Sequence, residues 1–385
     1  FILYYFDHTA TKLINQDILD FYKKQLKENN YNPAAIYTAG IKASESIQAA
    51  SKKIAEDLNC SIDEIIYTSG ATESINTAIK GIAFSPNPKH KRILTSAGEH
   101  AATLETLKFL EQKCDYIIDI CDLNENGQVD IEQFENYLQK NKYDLITLIH
   151  VNNVLGTINP IKEIVKLRDQ YQRDLPIHLD SVQALGKILL DLHALKVELI
   201  SFSLHKIGVP KGIGLLYKAK NTRIEPLIHG GGQQNNLRSG TENPALAVTA
   251  AYAINQVTIN LPADLDKVRK LKEYLQQSLS KANFNYHFII DSKQAEVVPH
   301  INAILFPDLR AETLLNVLNA ENIAVSIGSA CSNKKSEQNL VLRNLQLAAK
   351  MDKHILRISL SSSNSEQEID VLVTKIAKAL AKYAI

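Results

Sequence analysis

Hydrophobic residues along the first two-thirds of the chain follow two alternating patterns. Short runs of consecutive apolar residues are typical of buried strands, whereas longer stretches with an apolar residue every three or four positions are typical of amphipathic helices. The longer stretches, such as 131–138 and 161–171, lie between most of the short runs. This alternation favours an α/β fold with a mainly parallel sheet. Strands are predicted at 65–68, 92–96, 116–120, 145–151, 176–180, 198–203 and 213–217.

The last two predicted strands differ from the others in their connection. Too few residues separate 198–203 from 213–217 for a helix to cross between them. Parallel neighbours need such a crossover, whereas antiparallel neighbours do not. We therefore expect one antiparallel strand in the sheet.

The pattern changes after about residue 260, where a long charged helix is predicted over 264–281. It is followed by short strands at 286–290 and 300–306 and by helices at 311–320 and 366–384. A chain of 385 residues usually divides into more than one domain. We expect a large domain over 14–258 and a smaller α/β domain formed by 1–13 and 259–385.

Composition narrows the class of protein. Hydrophobic residues make up 45% and charged residues 22%, as in ordinary globular proteins, and the formal net charge is +1. Such a balance predicts no nucleic-acid partner, and no apolar run approaches the roughly 20 residues of a membrane helix. The four cysteines form no Cys-x-x-Cys pair and are too few for a disulfide framework. We therefore expect a reducing, cytoplasmic location and no membrane partner.

One segment contains a candidate for covalent chemistry. Lys206 follows an apolar strand and is preceded by Ser203 and His205. Burial lowers the pKa of a lysine, and a neutral amine can form a Schiff base with a carbonyl group. Ser203 and His205 could contact a phosphate group nearby. A surface lysine at a strand end would give the same local sequence, so this segment alone does not decide.

Further polar residues follow other predicted strands. Asp180 ends one strand and Gln183 comes shortly after it, and pyridoxal 5'-phosphate (PLP) needs a carboxylate near its pyridine nitrogen. Each such residue could instead cap a helix or a turn. However, open α/β sheets bind ligands at the carboxyl ends of their strands, and capping alone hardly explains so many polar groups there. The other groups are 69–74, whose backbone N–H groups could bind a phosphate, 99–100 and 150–153.

A second motif resembles the start of a calcium-binding EF-hand loop. It runs from Asp122 through Asn124 and Asn126 to Asp130. The twelfth position, where a bidentate Glu is required, is Gln133, and a strand rather than a helix precedes the motif. An ordinary turn is the favoured interpretation, and no metal ligands are predicted.

Seven collinear segments, spread over nearly the whole chain, resemble the cysteine desulfurase family within the class V aminotransferase group of fold-type I PLP enzymes. The resemblance implies a large domain with a mostly parallel seven-stranded sheet between helices, and a smaller α/β domain. It also implies conversion of L-cysteine to L-alanine. The segments are Tyr67–Ser74, Glu99–His100, His150–Asn153, Asp180–Gln183, Ser201–Lys206, Arg238–Asn243 and Ser326–Cys331.

The resemblance also implies a role for each site residue. Lys206 would hold PLP as a Schiff base, Asp180 would pair with the pyridine nitrogen, and Gln183 would contact the ring hydroxyl. His100 would stack on the ring and move protons. The phosphate would be held by Ala71, Thr72, Ser203 and His205.

The remaining roles concern the substrate and a second subunit. Asn153, beside the cofactor, and Arg357 would bind the substrate carboxylate. Without the resemblance, Arg357 would be interpreted as an exposed charge on a strand. The resemblance further implies that Thr241 reaches the phosphate of the partner subunit in a homodimer.

Among the cysteines, Cys331 has the context of a reactive thiol. Cys60, Cys114 and Cys121 lie in or beside apolar runs, where a cysteine usually packs without reacting. Cys331 lies in a polar segment with lysines at 334 and 335, which favour the reactive thiolate. The resemblance implies that Cys331, on a mobile loop, accepts the sulfur as a persulfide.

The expected acceptor of that sulfur is another protein, such as an iron–sulfur scaffold. The segment Asp7–Lys12 matches the family only in part, which leaves the subfamily open. A selenocysteine lyase or a class V aminotransferase is the nearest alternative function, and a non-catalytic partner-binding protein with the same fold is a more distant one.

Overall fold

The computed structural model describes residues 3–86, 89–327, 340–345 and 351–383. Cys331 lies outside these residues. Within them the strands are β1 (Tyr4–Tyr5), β2 (Ile65–Thr68), β3 (Arg92–Ser96), β4 (Ile117–Cys121), β5 (Leu145–Ile149), β6 (Ile177–Asp180), β7 (Leu199–Ser203), β8 (Gly214–Lys218), β9 (His287–Phe288), β10 (Ile301–Leu305), β11 (Ile323–Ala324), β12 (Ser326–Ile327) and β13 (Ile355–Ser359).

Helices separate most of these strands, as the hydrophobic pattern predicts. None of the described helices is long and apolar enough to cross a bilayer. They are α1 (Gln16–Glu28), α2 (Thr38–Leu58), α3 (Ala71–Ala83), α4 (Ala101–Cys114), α5 (Ile131–Lys140), α6 (Ile161–Tyr171), α7 (Leu192–Leu195), α8 (Pro244–Ile259), α9 (Leu261–Lys281), α10 (Ala311–Ala320), α11 (Leu340–Asn344) and α12 (Glu366–Tyr383).

The central sheet has seven strands in the order β2-β8-β7-β6-β5-β3-β4. The strands from β7 to β4 pair in parallel. β8 is antiparallel to both of its neighbours, β2 and β7, so the predicted antiparallel strand is confirmed. The parallel strands therefore end at one edge of the sheet, where a site can form.

Apart from the edge strand β4, which is mostly exposed or half-buried, the sheet is buried on both faces. Ile65, Ile146 and Ile200 pack into one hydrophobic cluster with α2 and α8, whereas Ile66 and Leu199 pack into another with α3 and α4. Successive residues of a strand point to opposite faces, so a strand covered on both sides must be apolar throughout. This is why the strands could be located as continuous apolar runs.

Two predicted strands extend too far. The run 145–151 contains β5, which ends at Ile149, because Val151 leaves the sheet and bridges to Ile158. The run 286–290 contains only the two residues of β9, which pair with β10.

A second core contains Phe6 together with residues of α9, α10, α12 and β13. β12, β13, β10 and β9 form an antiparallel sheet here, and β1 pairs with β11. The first residues of the chain are fixed to this region, since Asp7 bridges to Ser359 and the Thr9 N–H donates to the Ser359 Oγ at 3.0 Å. The proposed domain limits near 13 and 258 remain a prediction.

Candidate active site

A cavity of about 950 Å³ lies at the carboxyl ends of the parallel strands. It brings together residues that are far apart in the sequence, because strands β5, β6 and β7 end beside one another. Its lining includes ten of the predicted site residues: Ala71, Thr72, His100, Asn153, Asp180, Gln183, Ser203, His205, Lys206 and Arg357.

Lys206 lies in a short 3-10 turn, Leu204–Ile207, that directly follows β7. The turn ends at Gly208, whose φ of +92° suits glycine. Lys206 Nζ donates to the backbone carbonyls of Thr9 and Ala10, each at 2.8 Å. The amine is therefore held at the cavity wall by the first residues of the chain.

Asp180 is the last residue of β6 and is only 3% exposed. Its carboxylate accepts a hydrogen bond from the Val182 N–H at 3.0 Å. Burial raises the pKa of Asp180, and the charges of His100 and Lys206 partly offset that rise. A buried carboxylate of this kind is suited to a cationic partner placed in the cavity.

Gln183 and His100 each present a side chain with a defined orientation. Gln183 Nε2 donates to the Thr9 carbonyl at 3.0 Å, while its buried Oε1 has no hydrogen-bond partner among the described residues. His100 Nδ1 accepts from the Ala102 N–H at 3.1 Å and so caps α4. A ring nitrogen that accepts carries no proton, so neutral His100 has its proton on Nε2.

The amino end of α3 forms one wall of the cavity. Gly70 precedes the helix, and no side chain in the described structure caps it. A Cβ on Gly214 would lie 2.6 Å from Gly70 Cα, so this close approach of β8 to the loop requires glycine. The backbone N–H groups and the helix dipole favour a negatively charged group at this end of α3.

An ion pair that the sequence did not suggest fixes the same loop. Glu73 accepts from the Ser69 N–H at 2.8 Å and from Arg238 Nε at 2.8 Å. Both side chains are largely buried. The loop before α3 is thereby attached to the segment that contains Thr241.

His205 is held as a neutral side chain beside this wall. Its Nδ1 lies 3.0 Å from Thr11 Oγ1. Burial, together with the charges of Lys206 and Lys211, lowers the pKa of His205 to about 4. It can therefore donate a hydrogen bond to an anion at neutral pH without itself carrying a charge.

Arg357, on β13, is buried rather than exposed, with only 4% of its surface accessible. Its Nη2 lies 2.8 Å from Asp7 Oδ1, and its Nη1 donates to the Asn153 carbonyl at 3.0 Å. The interpretation of Arg357 from its local sequence alone, as an exposed charge, is wrong. Arg357 is buried because it pairs with Asp7 and Asn153, which are distant from it in the chain.

Glu99 is a cavity residue to which the sequence assigned no role. Its Oε1 accepts from Ser96 Oγ at 2.6 Å and from the Ile149 N–H at 2.9 Å, and its buried Oε2 has no partner in the described ranges. Burial raises the pKa of Glu99 to about 8, and the charge of Asp180 adds to the rise. Its position after β3 was the only available signal.

Thr241 does not line the main cavity. It is exposed and lines a neighbouring cavity of about 180 Å³, which shares Ser69 and Gly212 with the main one. Within a single chain Thr241 is therefore adjacent to the candidate phosphate site but outside it.

The EF-hand-like segment forms a turn. Asn124 Oδ1 accepts from the N–H groups of Asn126 and Gln128 at 3.0 and 3.1 Å, and Gln133 Nε2 donates to Asp122 Oδ2 at 2.9 Å. These oxygens are engaged within the turn itself. Across the described ranges, no group of three His, Cys, Asp or Glu residues is arranged to hold a metal ion.

The thiols of Cys60 and Cys121 differ from an activated cysteine. Burial raises the pKa of each to about 12, and nearby carboxylates contribute to the rise. Cys121 Sγ also donates to the Asp130 carbonyl at 3.3 Å. Both remain protonated at neutral pH and are poor nucleophiles.

Residues 4–372 match the family described as aminotransferase class-V. The chain belongs to this family. A protein named cysteine desulfurase IscS, from Dictyoglomus turgidum, is 34% identical over 378 residues, which cover 98% of this chain and 94% of that protein. The family resemblance predicted from the seven segments is confirmed.

Solved structures give the same result. One described as a NifS-like protein has a TM-score of 0.91 and 32% identity, covering 99% of this chain and all of that one. Another, described as SspA in complex with cysteine, has a TM-score of 0.79 and 29% identity, covering 94% and 99% of the two chains. The predicted fold class, an α/β fold with a mostly parallel seven-stranded sheet, is confirmed.

The donor set of the cavity fits PLP. The unpartnered Gln183 Oε1 can accept from a ring hydroxyl, and the buried Asp180 can pair with a protonated ring nitrogen. The uncapped α3 terminus suits a phosphate. Lys206 supplies the amine, and all four groups line the same cavity.

Proposed function

We propose that this protein is a PLP-dependent cysteine desulfurase, which converts L-cysteine to L-alanine and keeps the sulfur as a persulfide on Cys331. The observation that carries the proposal is that Lys206 and Asp180 line one cavity together with an anion-binding helix terminus. The names of the relatives support cysteine as the substrate.

When bound, PLP supplies an electron sink for the negative charge that develops on the α-carbon of the substrate. Lys206 would hold the cofactor covalently through Nζ. Asp180 would keep a proton on the ring nitrogen, and Gln183 would accept a hydrogen bond from the ring hydroxyl. Ala71, Thr72, Ser203 and His205 would bind the phosphate.

The remaining side chains act on the substrate. Arg357, already buried and oriented by Asp7, would bind the substrate carboxylate with the help of Asn153. Lys206 Nζ would take the proton from the α-carbon. His100, whose neutral ring has its proton on Nε2, would stack on the cofactor and return a proton.

The sulfur step uses Cys331. Its thiolate would attack the substrate sulfur, forming an S–S bond as the C–S bond of the substrate breaks. The carbon receives a proton and leaves as alanine. L-cysteine and one thiol thus give L-alanine and one persulfide, and no external oxidant is needed.

We further propose a homodimer in which Thr241 reaches the phosphate of the partner subunit, and a cytoplasmic location. Thr241 is exposed and lies beside the main cavity, a position that is compatible with this role. The persulfide would then pass to an acceptor protein such as an iron–sulfur scaffold.

The test is to purify the protein with PLP, record its absorbance and add L-cysteine with a thiol reductant. We expect a visible cofactor band, then stoichiometric alanine and sulfide. Cys331→Ser should keep the band but release no sulfide, and the matched control Cys60→Ser should keep both. Full turnover by Cys331→Ser, or alanine formation only with a keto acid, would contradict the proposal in favour of an aminotransferase.

A further inference from the structure

A second, much smaller cavity of about 30 Å³ also has Lys206 in its wall. Four other basic side chains line it, and Asp264 is its one acidic lining residue within the described chain. The rest of the wall is apolar apart from the hydroxyl-bearing Ser361 and Ser362. The basic residues are His8, Lys12, Lys187 and His300.

Lys187 is the central feature of this cavity. It is 7% exposed, and its Nζ has no hydrogen-bond acceptor among the described residues. A buried amine without an acceptor costs free energy, so such a group usually has a bound water or ion as its partner. Burial and the charges of Lys206 and Lys12 lower the pKa of Lys187 to about 7.

The two histidines add further nitrogen atoms without acceptors. His300 is 7% exposed, and its Nδ1 has no partner within the described ranges. Neither ring nitrogen of His8 makes a hydrogen bond of normal geometry, although Asn364 and the backbone of Tyr5 lie near the ring. Burial, together with the charges of Lys12 and Lys187, lowers the pKa of both histidines, and all four side chains line the same small cavity.

The charge of the wall decides the kind of occupant. Lys12 and Lys187 repel a cation, and Asp264 is the one carboxylate that lines this cavity within the described residues. An apolar occupant would leave the Lys187 amine without a partner. A water molecule would give the Lys187 amine an acceptor, but a negatively charged occupant also offsets the charge of the amines.

The volume of the cavity bears on the size of the occupant. A cavity of about 30 Å³ has room for at least one water-sized particle, and a single halide ion, which carries no substituent atoms, fits such a space. We propose that this cavity is a binding site for a single halide-sized monovalent anion, chloride in the cell, held by Lys187 and Lys12.

Such an anion would act on Lys206, which lies between the two cavities. A negative charge near the amine favours its protonated form. This consequence rests on the proposed function, in which Lys206 holds PLP. The anion site itself rests only on the residues of the small cavity.

The first test is crystallographic and uses the unaltered holoprotein. Crystals prepared with sodium bromide in place of chloride are measured at the bromine absorption edge. We expect an anomalous peak inside the cavity, at hydrogen-bonding distance from Lys187 Nζ. A cavity that holds only water at the same bromide concentration would overturn the proposal, whether or not the protein desulfurates cysteine.

The second test follows thermal unfolding in bromide, with gluconate added to keep the ionic strength constant. We expect a saturable rise of about 1–3 °C in the unfolding midpoint. Lys187→Met should abolish the rise. The matched control is Lys218→Met, because Lys218 is also buried but its Nζ already donates to the carbonyls of Ala219 and Thr222.

The outcomes are distinct. Loss of the rise in Lys187→Met, with its retention in Lys218→Met, supports the site. An equal rise in Lys187→Met and the unaltered protein overturns it. If Lys187→Met does not fold, the bromide peak alone decides.

Discussion

Arg357 Nη2 and Asp7 Oδ1 lie 2.8 Å apart, although 350 positions separate the two residues in the chain. The pair joins β13 to the segment whose carbonyls bind Lys206. Arg357 also donates to the Asn153 carbonyl, so its guanidinium is held in place before any substrate arrives.

This arrangement predicts that Arg357→Lys raises the KM for cysteine and lowers kcat/KM by about 10- to 100-fold, because one charge-assisted hydrogen bond is lost. Steady-state kinetics measure the change. The matched control is Arg168→Lys, since Arg168 is equally buried and paired with Glu198 away from the cavity. If Arg168→Lys raises KM to a similar extent, the effect of Arg357→Lys would come from lower protein stability and not from weaker binding of the substrate.

Asp180→Asn separates a catalytic role from a structural one. Asn keeps the acceptor for the Val182 N–H but has no charge. We expect kcat to fall by about 100-fold or more, because the negative charge beside the cofactor ring is lost. The protein without PLP should stay about as stable, because burial already disfavours the charged carboxylate. Turnover and urea unfolding measure the two effects. A large loss of stability with unchanged kcat would contradict the assignment.

Glu99→Gln tests the unusual protonation of Glu99. Its pKa is raised from 4.5 to about 8, so between these values the unfolded chain loses a proton that the folded chain keeps. The unfolding free energy of the unaltered protein should therefore fall as pH rises through this window. Gln cannot ionise and resembles the protonated acid. Glu99→Gln should therefore lower the number of protons released on unfolding by about one. Unfolding titrations at pH 5 to 8 measure it, and an unchanged slope would refute the prediction.

For His178 we expect the opposite pH dependence, in which the unfolding free energy falls as the pH is lowered. His178 bridges Thr147 Oγ1 and Ser201 Oγ at 2.8 and 2.9 Å, and burial lowers its pKa from 6.5 to about 3. The unfolded chain therefore binds a proton first, and stability falls as pH drops below about 6.5. His178→Gln should reduce the proton uptake on unfolding by about one. An unchanged proton uptake in His178→Gln would contradict this prediction.

Glu73→Gln tests the ion pair that fixes the loop before α3. Gln keeps an acceptor for the Ser69 N–H but loses the charge that pairs with Arg238. In the proposed function this loop holds the phosphate and takes no part in proton transfer. We therefore expect the dissociation constant for PLP to rise about tenfold, with kcat at saturating PLP nearly unchanged. Equilibrium titration with PLP measures the change. A lower kcat with unaltered PLP affinity would contradict this role.

Local sequence predicted the sheet well because burial on both faces leaves a direct signal. The runs 65–68 and 92–96 coincide with β2 and β3, where every residue is buried or half-buried. Positions after the strands, such as Asp180 and Lys206, were predictable for the same reason, since strand ends converge in a parallel sheet.

The rest depended on contacts between distant segments. The burial of Arg357 results from Asp7, and the position of Lys206 results from two backbone carbonyls that have no side-chain signal. Glu99 resembles any acid that precedes a helix until the surrounding burial is known. Sequence patterns report how a residue relates to its near neighbours. The contacts of Arg357 and Lys206, in contrast, join segments that lie far apart in the chain.

The bonds from Lys206 to Thr9 and Ala10 have a consequence for biosynthesis. A nascent chain that has been translated through β8 already contains Lys206, Asp180 and the segment around Thr9. It still lacks Ser359, to which the Thr9 N–H donates, and Arg357, which pairs with Asp7. The Lys206 amine therefore gains its fixed orientation only after β13 has been made and has packed against the segment around Thr9.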